Sequence, residues 1–75
     1  MTLDKLKPRE KAIVLNIGGK GPVRRRLIDM GITPNAIILM KKTAPFGDPI
    51  EILIRGYSLS IGKKEATQVE IKKIK

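Results

Sequence analysis

The residues with most chemistry to offer are basic and lie close together: Lys20, then Arg24, Arg25 and Arg26. Arginine presents a planar fork of donors to an oxyanion, so the run suits phosphates or a carboxylate-rich protein surface. Three consecutive arginines on a helix point in three directions, so only part of the cluster can serve one partner. Gly18-Gly19-Lys20-Gly21 invites comparison with a phosphate-binding loop. Lys20 is followed by Gly21 and Pro22, however, and no hydroxyl is placed for a magnesium ion. Asp48 and Glu51 form an acidic pair beside a turn. Two carboxylates without a third donor make an incomplete cation site, and Asp48 before Pro49 is more simply a turn residue. Asp4, Glu10, Asp29, Glu65 and Glu70 show no pairing suited to acid–base work. Histidine and cysteine are absent, which removes the commonest general base, the commonest metal ligand and every thiolate. No catalytic group, cofactor or metal site is expected, and the chain reads as a non-enzyme.

Sixteen Lys and Arg against seven Asp and Glu give a formal net charge of +9. Nucleic acid, an anionic membrane leaflet and an acidic protein face all satisfy that field, so charge fixes the partner's sign and not its identity. One Phe and one Tyr leave almost nothing on which single-stranded bases could stack, which weighs against single-strand or RNA recognition. Without cysteine there is no disulfide scaffold. The longest apolar run, Ala36 to Met40, is far short of the roughly 20 residues of a membrane-spanning helix, and no signal-peptide pattern opens the sequence. The expectation is one soluble, cytoplasmic domain over residues 1–75.

The elements that position these residues follow from punctuation and period. Thr2 to Leu6 suggests one helical turn ended by Pro8 and lidding the core. Ala12 to Ile17 suits a strand, with Ile13, Leu15 and Ile17 on one face, stopped by Gly18-Gly19. Gly21 to Gly31 reads as the main helix, about Pro22 to Met30, with Gly31 as a left-handed cap. Its apolar stripe is Val23, Leu27 and Met30; Arg25 and Asp29 point away, and Ile28 sits on the flank beside Arg24. Ala36 to Lys42, Ile50 to Arg55, Tyr57 to Ile61 and Val69 to Ile74 are further strands, and Lys63 to Gln68 suits a helical turn burying Ala66. Five short strands cannot cover both faces of an open sheet, so a small, strongly bent, partly open barrel is expected.

The chain resembles the FeoA family, ferrous iron transport protein A, over nearly its whole length. Leu3 to Leu6 with Pro8 looks like the family's opening, and Arg24-Arg25-Arg26-Leu27-Ile28-Asp29-Met30-Gly31-Ile32-Thr33-Pro34 looks like its signature helix and stop. Ala44-Pro45-Phe46-Gly47-Asp48-Pro49 with Ile50-Glu51-Ile52, then Arg55-Gly56-Tyr57-Ser58-Leu59-Ser60, resemble its second half. The departures are Phe46 where the family tends to be aliphatic, Asn35 where Gly is frequent, and Gly62 where a basic residue is common. The resemblance implies a mainly β, SH3-like five-stranded barrel with one main helix. It also implies a cytoplasmic accessory protein acting on FeoB, the membrane Fe(II) transporter with a cytosolic GTP-binding domain. The family is often labelled as binding transition metals, for which this sequence offers no obvious site.

Two functional expectations follow. In the first, the chain is a non-catalytic regulatory module docking on the cytosolic side of FeoB. Arg24, Arg25, Leu27 and Ile28 form or support that contact, and the loop around Phe46 is the second candidate. Lys72, Lys73 and Lys75 would add attraction to an anionic inner membrane face. In the alternative, it is a basic nucleic-acid-binding barrel of ribosomal or repressor type, and salt dependence separates the two.

Overall fold

The computed structural model describes residues 1–43 and 45–74; Ala44 of the expected turn and Lys75 of the lysine-rich end lie outside the described residues. The strands are β1 (Lys11–Ile17), β2 (Ile37–Thr43), β3 (Ile50–Ile54), β4 (Tyr57–Ile61) and β5 (Val69–Ile74). They form one antiparallel sheet in the order β4-β3-β2-β1-β5. The end strands β4 and β5 do not pair among the described residues, so the sheet is unclosed. The main helix α1 (Gly21–Asp29) joins β1 to β2, and a single turn, α2 (Lys63–Ala66), joins β4 to β5. A 3₁₀ turn at Leu3–Lys5 buries Leu3, and Leu6 follows it into the core.

Alternation works cleanly on β3. Ile50, Ile52 and Ile54 are buried, while Glu51 and Leu53 are half-exposed. Ile38 and Met40 of β2, Val69 and Ile71 of β5 and Ala66 of α2 complete that core with Leu27 and Ile32. On β1 the expected face is inverted. Ala12 and Val14 are buried, Ile13 is half-buried and Leu15 is exposed. The pairing with β5 shifts register between Val14 and Asn16. That extra residue returns Ile17 to the core, where strict period two would have grouped it with Leu15.

The helix also differs in its details. It ends at Asp29 with Met30 as cap, and Leu27 is its one buried residue. Val23, expected on the apolar stripe, is 42% exposed. Only the C-terminal part of α1 leans on the core, with Ile28 and Met30 partly packed against it. Val23, a turn earlier, lines an open groove with Lys20, Lys64, Glu65 and Gln68. On β4, Tyr57 is exposed and Leu59 is half-buried, leaving Ile61 as that strand's core residue.

Candidate partner-docking surface

Gly31 sets where α1 stops. Its φ of +96° takes the chain left-handed, and its N–H donates to the Ile28 carbonyl at 2.9 Å while Ile32 N–H donates to the Leu27 carbonyl at 3.1 Å. These bonds satisfy carbonyls that a helix end otherwise leaves open. Asn35, standing where the resembling family favours glycine, also enters the left-handed region at φ +74°.

The three arginines divide their work. Arg24 Nε donates to the Ile17 carbonyl at 3.3 Å, tying the helix to the end of β1. Arg26 pairs with Glu65 of α2 at 3.4 Å. Arg25 has neither an ion pair nor a side-chain hydrogen bond among the described residues. A groove of about 380 Å³ runs along this outer face, lined by Gly21, Arg24, Arg25, Ile28 and Asp29. The structure therefore brings Arg24, Arg25 and Ile28 together on one surface. Of the two parts that Leu27 could play, forming or supporting that surface, its burial with no exposed area leaves it the supporting one: it holds the helix on the core. Phe46 lies elsewhere, 94% exposed at the tip of the β2–β3 connection.

A clamp unforeseen from the sequence fixes the helix's C-terminal end. Arg55 and Gly56, both at positive φ, form the tight β3–β4 turn. From it Arg55 Nε reaches the Gly31 carbonyl at 3.2 Å and Arg55 Nη2 reaches Thr33 Oγ1 at 2.6 Å. The Tyr57 hydroxyl donates to the Met30 carbonyl. A cation and two donors at a helix C-terminus also suit its partial negative charge. No sequence signal marks these contacts, because they link residues more than 20 positions apart.

Three other acidic groups are held by the backbone or by lysines. Asp48 Oδ1 accepts the Lys63 N–H at 2.9 Å, and Glu51 pairs with Lys41 at 3.2 Å. The Lys73 ammonium hydrogen-bonds Glu10, which, with the Lys7 N–H, holds the Glu10 carboxyl below its ordinary pKa. Among the described residues no three His, Cys, Asp or Glu side chains gather. The donors present do not fit a resident transition-metal ion.

The FeoA domain family matches residues 1–73. The chain belongs to the FeoA family. A FeoA crystal structure described as an iron uptake regulatory protein is 36% identical, with a TM-score of 0.91, over 99% of this chain and 97% of that one. Zinc-complexed FeoA from Stenotrophomonas maltophilia, described as a prokaryotic SH3 domain protein, is 22% identical and shares the fold alone. Its TM-score is 0.85 over 96% of this chain and 89% of that one. The fold is thus SH3-like and mainly β, as expected. A Porphyromonas gingivalis protein fuses Fe(2+) transport protein A to the Fe(2+) transporter FeoB. It is 28% identical over 74 residues, which make up 99% of this chain and 9% of the fusion. FeoA is thereby an accessory family associated with ferrous iron transport, with a link to FeoB. No helix here is long and apolar enough to cross a membrane.

Proposed function

We propose that this chain is a non-catalytic, cytoplasmic regulatory module of ferrous iron uptake that docks on the cytosolic GTP-binding domain of a FeoB-type transporter. The observation that carries the reading is the natural fusion of FeoA to FeoB in one polypeptide. Joining two modules raises their effective concentration for each other, which is useful when they act on each other or at one place. The groove on α1 supplies a suitable surface. Arg25 is an outward cation with no partner among the described residues, Ile28 adds an apolar contact, and Arg24 borders both. A chain of formal charge +9 beside a bilayer also gains from anionic headgroups, by about 1 kcal/mol for each Lys or Arg held near the surface. The module is accordingly placed at the inner membrane face.

The test is binding of the purified chain to the lipid-free cytosolic domain of the transporter. Arg25→Glu should weaken it by about tenfold while leaving the circular-dichroism spectrum unchanged. Ile28→Asp should weaken it similarly, and because Ile28 packs partly on the core its melting curve is measured alongside. Full affinity in both folded variants would remove α1 as the docking surface and leave the Phe46 loop as the candidate.

A further inference from the structure

The most exposed large apolar side chain is Phe46, 94% accessible, and the fold gives it no internal role. Its surroundings follow from the register. Lys42 lies opposite Glu51 and Thr43 opposite Ile50 in the β2–β3 ladder, and Ile50 lies opposite Ile61 at the end of β4. Arg9 joins the same end of the sheet, its N–H donating to the Met40 carbonyl at 2.8 Å. Lys63 follows β4 directly: its N–H is held by Asp48, and a Cβ built on Gly47 would lie 3.9 Å from its ammonium nitrogen. The tip carrying Phe46 is therefore pinned to α2 beside Lys63, with Lys42 on the strand that leads into it and Arg9 bonded to that strand at Met40. All three are exposed and lack a carboxylate partner among the described residues. Of the nearby acids, Glu51 and Glu10 are paired with Lys41 and Lys73, and Asp48 accepts the Lys63 N–H without a cation partner among the described residues.

We propose that this hairpin tip is a lipid-docking element, with Phe46 entering the interface of an anionic bilayer while Lys42, Lys63 and Arg9 face its headgroup phosphates. The proposal rests on the placement at the membrane argued above and names the residues that would make it. Charge complementarity and geometry both favour lipid over protein. A protruding lone aromatic ringed by cations matches the apolar-in, cation-at-headgroup arrangement of interfacial binding. A protein contact instead centres its anchors within a broad, closely packed patch, and the apolar surface beside Phe46 is limited to Pro45 and Pro49 in a groove shared with Lys42, Glu51 and Ser60. The hairpin leaves β2 at its C-terminal end and α1 leaves β1 at its C-terminal end, which are opposite ends of that antiparallel pair; α2 links the two regions, its Lys63 N–H donating to Asp48 and its Glu65 pairing with Arg26.

The experiment uses vesicles free of any transporter, so its failure is distinguishable from failure of the docking reading, which is tested without lipid. The chain has no tryptophan, so Phe46→Trp introduces a single fluorescent reporter. With phosphatidylglycerol-containing vesicles its emission should shift to the blue and be quenched by brominated acyl chains; pure phosphatidylcholine vesicles should produce neither. In co-sedimentation with the same anionic vesicles, Phe46→Ser should lose about tenfold in affinity, and the Lys42→Glu/Lys63→Glu pair at least as much. Arg24→Glu/Arg25→Glu makes the same change in net charge on α1 and should lose much less. The side chains substituted at the hairpin are exposed, so unchanged thermal unfolding is expected to accompany each loss. The proposal is overturned if anionic vesicles leave the tryptophan emission unshifted, or if the two charge-reversed pairs lose affinity equally. It is equally overturned if the shift appears with the transporter's lipid-free cytosolic domain and not with vesicles, which would make the tip a protein contact.

Discussion

Replacing Gly31 by alanine tests whether the helix stop is set by backbone geometry and held by the clamp. At φ +96° an L side chain is strained, at a cost of about 1–2 kcal/mol. The added Cβ would also stand 2.5 Å from the Tyr57 hydroxyl oxygen, so the phenol must swing away and give up its bond to the Met30 carbonyl. That bond contributes about 1 kcal/mol, and Tyr57 is exposed enough that its ring can move at little further cost. The sum, about 2–3 kcal/mol, is a large share of the few kcal/mol a domain of this size retains. It corresponds to a fall in Tm on the order of 10–20 °C. Chemical denaturation of wild type, Gly31→Ala, Tyr57→Phe and the double variant separates the terms. Tyr57→Phe alone should cost about 1 kcal/mol, and the double variant should be more stable than additivity predicts by a similar amount, because the colliding oxygen is already gone. Strict additivity would refute the steric step. A Gly31→Ala cost under about 0.5 kcal/mol would refute the strain argument itself.

Leu27→Ala should destabilise the fold by roughly 2–5 kcal/mol through the cavity it leaves, whereas Arg25→Glu should leave the denaturation midpoint nearly unchanged. Glu10→Gln should lower Tm near neutral pH, because the folded state holds the Glu10 carboxyl below its ordinary value of 4.5. A depressed carboxylate stabilises above its unfolded pKa and loses that contribution as pH falls through the folded one, so the two melting curves should converge below pH 4.5. Calorimetric titration with Zn(II) should show no better than weak binding, and submicromolar stoichiometric uptake would reveal a donor set that the sequence conceals.

What the sequence made legible depended on whether a polar residue broke a tie. On β3, Glu51 marks the outer face, so the inward Ile50, Ile52 and Ile54 were readable from period two alone. On β1 both alternating sets are apolar, Ala12 and Val14 against Ile13 and Leu15, and periodicity cannot say which points inward. The bulge before Asn16 hid the answer further, since it puts Val14 and Ile17 on one face at an odd spacing. In the docking region, the helix, its glycine stop and the outward Arg25 followed from local pattern. The division among the arginines did not. It depends on the Ile17 carbonyl and on Glu65, the latter 39 positions from Arg26 and brought close only by the fold. Burial of Leu27 with exposure of Val23 is likewise tertiary, since Leu27 meets the core while Val23 meets only the open groove beside α2.

The antiparallel order of β1 and β2 has a mechanical consequence for the two proposed contacts. The segment after β1 becomes α1 and the segment after β2 becomes the Phe46 hairpin, so the two leave opposite ends of the β1–β2 pair, and α2 bridges them through the Arg26–Glu65 pair and the Lys63 bond to Asp48. The groove on α1 is lined by Arg24, Arg25, Ile28 and Asp29, and none of Phe46, Lys42 or Lys63 lines it. A partner that stays within that groove therefore leaves the hairpin contact open. The longest dimension of the molecule is 29 Å, so a cytosolic domain docked on α1 while the hairpin touches lipid sits within about one domain's length of the bilayer. The helix must keep its angle to the sheet for that spacing to hold. The Arg55 and Tyr57 bonds to Gly31, Thr33 and Met30, with the Arg24 bond to Ile17, supply that stiffness from both ends of α1.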